Sequence, residues 1–440
     1  MLVMHLSLNL IIFVLLTCVK LAHLCTNDGY PFECYLSTMT PYRTVSNKDF
    51  YKIQFDGCKA KKAWMVVRHG TRNPKAATIV RMKERLPLIK QKILDSSHFP
   101  NEYVKNHDLD LFRKWKPSGH PKDEKKLAHE GEEEMLLLAE RMQNRFPDVF
   151  ENVYTNKTYR FKYTYSQRTQ KSAYYFARGL FGKATAKSVY FPEPTEQDPI
   201  LRFYKMCENW NKNIKKNPEA ALEKRLFVSG IEMKQIVNNI NQRLGFESYL
   251  TTDDITLIYH TCAFETAWHK KSKSPWCSIF TVDDLKVLEY VEDLDMYWQD
   301  GYGYELSYKQ ACPAFGDMIN FLESKDPHSK VTVYFTHSGT LLKILAHLGL
   351  YKDEQPLTAE NFSKMSNRQW KTSKIDSFAT NLAFVLFGCE DGDKILTLHQ
   401  ERVVRLPSCP NSDLCSLNQM HKYYENSLQN CDFDALCNTR

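Results

Sequence analysis

A histidine lies between two arginines in the segment "MVVRHGTRNP", where Arg68, His69 and Arg72 follow an apolar run. Nearby positive charge lowers the pKa of an imidazole, so His69 is expected to be neutral and able to act as a nucleophile. Arginines bind phosphoryl oxygens bidentately and stabilise the charge that spreads over them during transfer. These residue types predict that His69 attacks a phosphorus atom whose oxygens the arginines hold.

Two further polar residues follow strand-like segments later in the chain. Arg168 comes after the alternating segment "FKYTYS", and His337 comes directly after "VTVYFT". In α/β proteins ligands bind at the carboxyl ends of strands, so we predict that Arg168 binds phosphate and that His337 hydrogen-bonds a phosphoryl oxygen. Taken singly, each has a plainer interpretation, as a surface charge or as a satisfied polar residue at a strand end.

The elements that must position these residues alternate between strand and helix. "AWMVV" (63–67) is typical of a buried strand and Pro74 of the first turn of a helix. The segment 331–336 is a second strand, and the helix after it should end at Gly349. Two later strands should form a hairpin across Asp391 and Gly392. The pattern predicts a layered α/β/α core.

One part of the chain departs from this alternation. Residues 201–284 are mostly helical in pattern, with lysine-rich stretches between the segments. We interpret this region as an α-helical cap inserted into an α/β core formed by residues 25–200 and 285–440.

The first residues contain an apolar stretch from Leu6 to Val19 that is short for a membrane span. It predicts a signal peptide at about residues 1–24, and hence secretion or residence in the lumen of the secretory pathway. An uncleaved anchor is the alternative, because no Lys or Arg precedes the apolar stretch. No later segment is apolar enough to predict a stable membrane span.

Cysteine usage supports the same compartment. Besides Cys18, which lies in the predicted signal, twelve cysteines remain, an even number that predicts disulfides. They are Cys25, Cys34, Cys58, Cys207, Cys262, Cys277, Cys312, Cys389, Cys409, Cys415, Cys431 and Cys437. Zinc binding by the last four is a minor alternative, because their five-residue gaps are wider than those of paired zinc cysteines. The sequons at Asn156 and Asn361 predict glycosylation in a secretory lumen.

Composition describes a globular protein and excludes some functions. Hydrophobic residues make up 43% of the 440 positions, charged residues 25%, and the net charge is +7. This charge favours anionic ligands weakly, but no basic arm or nucleic-acid motif accompanies it. We therefore expect a small phosphorylated molecule as the partner, not a nucleic acid.

The chain resembles the histidine acid phosphatases and, within them, the multiple inositol polyphosphate phosphatases. The resemblance covers most of the chain after residue 24. It is carried by "LSTMTPY", "VVRHGTRNPK", "LAHEGEEEM", "SQRTQKSAYYFARGLFG", "GYGYELSY", "THSGTLLKILAHLGLYKDEQPLTAENF" and "RQWKTSKIDSFATNLAFVLFGC". It implies an α/β core with a helical cap and cofactor-free, metal-free hydrolysis of inositol polyphosphates through a phosphohistidine. The nucleophile would be His69, and Arg68, Arg72, Arg168 and His337 would bind phosphate.

One departure from the family concerns the general acid. Where the inositol phosphatases have His-Ala-Glu, this chain has His337, Ser338 and Gly339. The family's Glu protonates the leaving oxygen, a contribution typically worth about 10²–10⁴ in rate, and Gly339 cannot provide it. A related acid-phosphatase pattern has Asp at the position of Ser338. Asp376 and Glu130 are candidate replacements.

Three functions follow from these observations. The first is a secreted phosphatase of inositol polyphosphates, slowed or altered by the missing acid. The second is an impaired, phosphatase-like protein that binds inositol phosphates or other polyphosphates without turnover. Transfer of the phosphoglycerate-mutase type is a third, but it predicts a cytosolic, cysteine-poor chain.

Overall fold

The computed structural model describes residues 31–96 and 105–438. The predicted signal peptide at residues 1–24, with Cys18, lies outside these ranges, as does Cys25. Within the described ranges one mixed sheet contains strands β1 (Cys58–Arg68), β2 (Tyr159–Tyr163), β3 (Val331–Thr336), β4 (Asn381–Cys389), β5 (Gly392–His399), β6 (Arg402–Val403) and β7 (Leu414–Ser416).

Three of these strands are parallel neighbours. The sheet order is β2-β3-β1-β4-β5-β6, with β7 paired to β5. β3 runs parallel to both β2 and β1, and every pairing from β1 to β4 onward is antiparallel. The carboxyl ends of β2, β3 and β1 therefore meet at one edge of the sheet.

Helices make up most of the remaining regular structure. They are α1 (Tyr42–Val45), α2 (Ala76–Glu84), α3 (Leu86–Ser96), α4 (Asn106–Lys114), α5 (His129–Arg145), α6 (Gln167–Ala186), α7 (Phe203–Met206), α8 (Glu208–Trp210), α9 (Leu222–Ser229), α10 (Ile231–Arg243), α11 (Thr252–Trp268), α12 (Val282–Asp300), α13 (Glu305–Lys309), α14 (Cys312–Glu323), α15 (Ser338–His347), α16 (Thr372–Ile375), α17 (Leu417–Tyr423), α18 (Glu425–Gln429) and α19 (Phe433–Cys437).

Helices cover the sheet on both faces, as the alternation of side chains along β1 shows. Met65 and Val67 belong to a buried cluster that includes residues of α5 and α6. Trp64 and Val66, which point to the opposite face, belong to a cluster that includes residues of α14 and α15. The predicted layered α/β/α core is confirmed.

A third buried cluster lies among helices and is formed largely by residues 227–297, with contributions from 82–115 and 342–378. Trp276 and Tyr290 are fully buried in it. This helical cluster includes part of the predicted cap. The cap's bounds of 201–284 stay a prediction.

Disulfides cross-link this fold, and three of the pairs join segments that are distant in the chain. The pairs are Cys58–Cys389, Cys207–Cys437, Cys262–Cys277, Cys312–Cys431 and Cys409–Cys415, and Cys34 is also disulfide-bonded. The disulfides predicted from the even cysteine number are present. None of the helices in the described ranges combines the length and apolar character that a membrane crossing requires.

Candidate active site

The sheet topology brings together the residues that the sequence singled out. Arg68 is the last residue of β1 and His69 follows it, while His337 follows the adjacent strand β3. Arg168 lies in the first turn of α6, after β2. The rings of His69 and His337 are 5.6 Å apart between centroids. Arg168 Nη2 lies 3.1 Å from His337 Nδ1.

The hydrogen bond of His69 fixes which ring nitrogen is free. His69 Nδ1 lies 2.9 Å from the carbonyl oxygen of Gly70. A carbonyl only accepts, so Nδ1 carries the proton and Nε2 keeps its lone pair. Burial lowers the pKa of His69 well below its usual value, and the charges of Arg168 and Arg68 lower it further. The imidazole is therefore neutral, with a nucleophilic nitrogen available.

The arginines leave buried donors that could hold an anion. The Nε atoms of Arg68, Arg168 and Arg202 are buried, and no hydrogen-bond partner for them occurs among the described residues. Burial, with the charges of neighbouring arginines, lowers the pKa of Arg72 to about 9. Burial also lowers the pKa of Arg168 to about 10. Buried, mutually repelling cations with unused donors favour an anionic ligand with several oxygens.

His337 is oriented by two neighbours. Arg168 donates to His337 Nδ1, and the ring's Nε2 lies 2.9 Å from Thr164 Oγ1. Because a guanidinium only donates, Nδ1 accepts and Nε2 donates to Thr164. Burial and then the Arg168 and Arg202 charges lower the pKa of His337 well below its usual value. The predicted bond from His337 to a phosphoryl oxygen therefore requires protonation of Nδ1, which a bound anion would favour by offsetting the arginines.

Hydrogen bonds and close backbone contact connect the loop after β1 to α5. Thr71 donates through its backbone N–H and its hydroxyl to Glu134, at 2.7 and 2.9 Å. Gly70 and Gly131 allow the backbones of the loop and the helix to meet. A Cβ on Gly70 would lie 2.5 Å from the carbonyl oxygen of Gly131, and a Cβ on Gly131 would lie 2.3 Å from the carbonyl oxygen of Thr71. These glycines fix the position of His69 through close backbone contact.

Arg202 is a site residue that the sequence did not point to. It precedes α7 in the segment "PILRFYK", which follows no strand. The hydroxyls of Thr336 and Thr340 both donate to the backbone oxygen of Leu201, each at 2.8 Å. These bonds anchor the segment beside the end of β3 and bring the Arg202 charge close enough to lower the pKa of His337.

The region around Gly339 contains two carboxyl groups. A Cβ on Gly339 would lie 3.2 Å from Oδ1 of Asp300, which accepts a bond from the buried Lys343 ammonium. The Ser338 hydroxyl donates to Asp376 Oδ2, and this oxygen lies 3.7 Å from Arg68 Nη1. Asp376, one of the two predicted replacement acids, is therefore in contact with the site.

Glu130, the other predicted replacement, has different surroundings. Its carboxylate lies 3.3 Å from Lys270 Nζ. Both residues line a cavity of about 260 Å³ that Tyr42, Arg43 and Arg141 also line. Neither His69 nor His337 is among its lining residues.

The remaining predictions concern glycosylation and metals. Asn156 is exposed in a turn. Asn361 is half-buried, and its amide nitrogen donates to the Pro356 carbonyl oxygen at 2.9 Å. Across residues 31–96 and 105–438, no group of three or more His, Cys, Asp or Glu side chains could hold a metal ion.

The chain is similar in sequence to known phosphatases over most of its length. The family model described as "Histidine phosphatase superfamily (branch 2)" matches residues 59–407. The chain is 31% identical over 401 residues to multiple inositol polyphosphate phosphatase 1 of Drosophila melanogaster, covering 88% of this chain and 84% of that protein. It is 29% identical to the Homo sapiens protein of the same name, covering 86% and 82%.

Solved structures show the same fold. The phytase from D. castellii superposes with a TM-score of 0.76 at 17% identity, covering 93% of this chain and 88% of that one. The Bifidobacterium longum multiple inositol polyphosphate phosphatase, in complex with inositol hexasulfate, superposes with a TM-score of 0.65 at 14% identity, covering 86% and 95%.

Proposed function

The chain belongs to branch 2 of the histidine phosphatase superfamily, and from that premise we propose that it hydrolyses phosphate monoesters of inositol polyphosphates through a phosphohistidine. Its similarity to proteins named multiple inositol polyphosphate phosphatase supports the substrate class. The observation that carries the reaction type is the hydrogen bond from His69 Nδ1 to the Gly70 oxygen, since it leaves Nε2 as the nucleophile.

The reaction has two steps. His69 Nε2 attacks phosphorus, the bond between phosphorus and the inositol oxygen breaks, and the inositol oxygen receives a proton. A water molecule then attacks the phosphohistidine and releases inorganic phosphate, which restores the neutral imidazole. In both steps the guanidinium groups of Arg68, Arg72 and Arg168 hold the phosphoryl oxygens and stabilise their charge.

Binding without turnover is the second candidate, and Gly339 favours it. Gly339 stands where the resemblance leads us to expect the acid that protonates the leaving oxygen. If no other group supplied that proton, the barrier would rise by roughly 3–5 kcal/mol for an alkoxide leaving group. The arginines would still bind the phosphate groups, so affinity alone does not separate the two functions.

We also propose that the protein works in the secretory pathway or outside the cell. Disulfides persist in those oxidising compartments and are rare in the cytosol. The pairs at Cys58–Cys389, Cys207–Cys437 and Cys312–Cys431 join segments more than a hundred residues apart, which supports this location.

Trapping the intermediate tests the proposed function. We expect brief reaction with phosphorus-labelled substrate, followed by quenching under conditions that preserve phosphohistidine, to label the protein at His69. His69→Ala should lose both the label and phosphate release from inositol hexakisphosphate.

A histidine outside the site provides the control for this experiment. His421, on the surface near Glu323, should be replaceable by Ala with the label and the turnover retained. Binding of inositol hexakisphosphate with neither label nor phosphate release would favour the second candidate. Label that survives His69→Ala would exclude His69 as the nucleophile.

A further inference from the structure

We propose that the Ser338 hydroxyl and the Asp376 carboxyl together supply the proton that the leaving oxygen needs, in place of the carboxyl that Gly339 lacks. The inference rests on the proposed phosphatase function and names the acid that this function requires. Ser338 would touch the substrate, and Asp376 would act through Ser338.

The position of the pair suits this role. Ser338 follows His337 directly and begins α15, so its half-buried hydroxyl lies at the same strand end as the two histidines. That hydroxyl is bonded to Asp376 Oδ2, whose carboxyl is fully buried. The other oxygen, Oδ1, is buried and has no hydrogen-bond partner in the part of the chain that the structure describes. The pair links the site to a buried carboxyl beside Arg68.

The surroundings of Asp376 favour its protonated form at acidic pH. Burial raises the pKa of Asp376 to about 7. Of the groups that face it, Arg68 on β1 and Ser338 on α15 lower this pKa, while Asp300 on α12 raises it. A phosphoryl group bound to Arg68 offsets the charge of the guanidinium and raises the pKa of Asp376 further. Substrate binding therefore favours the proton-donating form.

The proton transfer balances over the two steps. When Asp376 is protonated, its Oδ2 donates to the Ser338 oxygen, and the Ser338 hydroxyl turns to donate to the leaving oxygen. As the phosphorus–oxygen bond breaks, the leaving oxygen takes the Ser338 hydroxyl proton while Ser338 takes the Asp376 proton, leaving Asp376 as a carboxylate. In the second step the attacking water gives a proton to Ser338, and Ser338 returns one to Asp376. Every group then has the protonation state in which it began.

Other carboxyl groups are less suited to this task. Asp300 accepts a bond from Lys343, whose ammonium is fully buried. Protonation of Asp300 would leave that cation without its counter-ion, which is costly in the interior. Glu130 is paired with Lys270 in a separate cavity.

Two substrates with different leaving groups test the proposal. The leaving group of inositol hexakisphosphate is an inositol alkoxide, which is basic and needs a proton, whereas the leaving group of p-nitrophenyl phosphate is a stable phenolate. We expect Asp376→Asn and Ser338→Ala each to lower kcat/KM for inositol hexakisphosphate by about 10²-fold or more. For p-nitrophenyl phosphate we expect a loss of less than about 10-fold, because a phenolate gains little from general-acid catalysis.

A rescue variant separates proton supply from structural damage. Ser338→Asp/Asp376→Asn places a carboxyl where the hydroxyl was, so it should recover much of the inositol hexakisphosphate turnover that Asp376→Asn loses. Ser377→Ala, which removes a buried hydroxyl next to Asp376, should affect the two substrates equally. Labelling of His69 by p-nitrophenyl phosphate shows in each variant that the site is assembled. If Asp376→Asn fails to fold, the losses of kcat/KM that Ser338→Ala causes for the two substrates still test the proposal.

Several results would overturn the relay. Equal losses for the two substrates would indicate a structural role for the pair, as would failure of the rescue. Full turnover of inositol hexakisphosphate by Ser338→Ala would place the donor elsewhere. A wild-type chain that hydrolyses neither substrate and forms no phosphohistidine contradicts the proposed function itself, and the relay with it.

Discussion

The buried arginines concentrate positive charge around the two histidines of the site. Burial and the charges of neighbouring arginines lower the pKa of Arg72 to about 9, and the arginine charges also help to keep His69 and His337 neutral. A bound phosphoryl group offsets these charges and supplies acceptors for the unpaired Nε donors. Each arginine at this edge should therefore contribute to phosphate affinity.

Arg202 allows this expectation to be tested on a residue that the sequence motifs do not include. Arg202→Ala removes a charge that acts on His337 and a buried donor that has no partner among the described residues. Hydrogen bonds to charged groups are typically worth about 1.5–3 kcal/mol. We therefore expect the inhibition constant of inorganic phosphate to rise at least about 10-fold in the variant. The inhibition constant of phosphate, measured against p-nitrophenyl phosphate, checks this.

Arg160 provides the matched control for Arg202. It lies on β2, near the end of the strand away from the site, and pairs with Asp317. Arg160→Ala should leave the inhibition constant of phosphate unchanged. Equal inhibition of the Arg202→Ala variant and the wild type would show that this charge does not reach the phosphate.

The residues of the site were predictable to the extent that they follow strands. Arg68, His69 and His337 end or follow strands that the sequence pattern identifies, and the structure brings them together with Arg168. Arg202 follows no strand, because hydrogen bonds from Thr336 and Thr340 to Leu201 hold its segment in place. Contacts between residues more than a hundred positions apart leave no local pattern. The bond between Ser338 and Asp376 spans only 38 positions, but it too joins two segments in space and leaves no local pattern.

Among the elements, the contact between α5 and the loop after β1 determines how rigidly His69 is held. Gly131 lies in the first turn of α5, and a Cβ there would meet both the oxygen and the nitrogen of Thr71, at 2.3 and 2.7 Å. Both clashes are with backbone, which cannot move aside as a flexible side chain can. The loop itself would have to shift.

Gly131→Ala tests this contact. We expect it to lower the free energy of unfolding by about 1–3 kcal/mol, as overpacking does. We also expect kcat/KM for p-nitrophenyl phosphate to fall by about 10²-fold, since a displacement near 1 Å at a nucleophile can cost this much. Denaturant unfolding and steady-state kinetics measure the two effects.

Gly316 provides the control for that substitution. It also lies inside a helix, α14, but a Cβ there would meet open space. Gly316→Ala should be neutral or stabilising, by up to about 1 kcal/mol, because alanine favours helix more than glycine does. Equal behaviour of the two variants would contradict the proposed role of the contact at Gly131.

Element types were more predictable than element bounds. The predicted buried segment 63–67 is the inner part of β1, which spans Cys58–Arg68. The first residues of β1 alternate between partly buried and exposed positions, so they lack the apolar run that marks the rest, but they pair with β4. Helix α2 begins at Ala76, after a cap at Lys75, so Pro74 precedes the helix and does not lie in its first turn. The predicted hairpin is present, with Gly392 as the first residue of β5.

For the whole molecule, disulfides determine how the C-terminal helices attach to the rest. The Cys207–Cys437 bond joins the residue between α7 and α8 to α19. The Cys312–Cys431 bond joins α14 to the segment before α19. Disulfides were predictable from the cysteine number. Their pairing was not, because most partners are far apart in the chain.

Loop length should determine how much each disulfide contributes to stability. In the chain-entropy description, a cross-link stabilises the folded protein by restricting the unfolded chain, more so for longer loops. With Cys262–Cys277 and Cys312–Cys431 intact, Cys207–Cys437 still closes a loop of roughly 100 residues, which corresponds to about 5 kcal/mol. Cys409–Cys415 spans a sequence separation of 6, which corresponds to about 2 kcal/mol.

We therefore expect Cys207→Ala/Cys437→Ala to lower the free energy of unfolding by about 2–3 kcal/mol more than Cys409→Ala/Cys415→Ala does. The comparison is matched, because all four cysteines are buried and alanine adds no unpaired polar group. Guanidinium unfolding of both variants without reductant, with the other disulfides confirmed by mass spectrometry, measures the difference. Equal or reversed losses would show that contacts in the folded state, and not restriction of the unfolded chain, determine what these cross-links contribute.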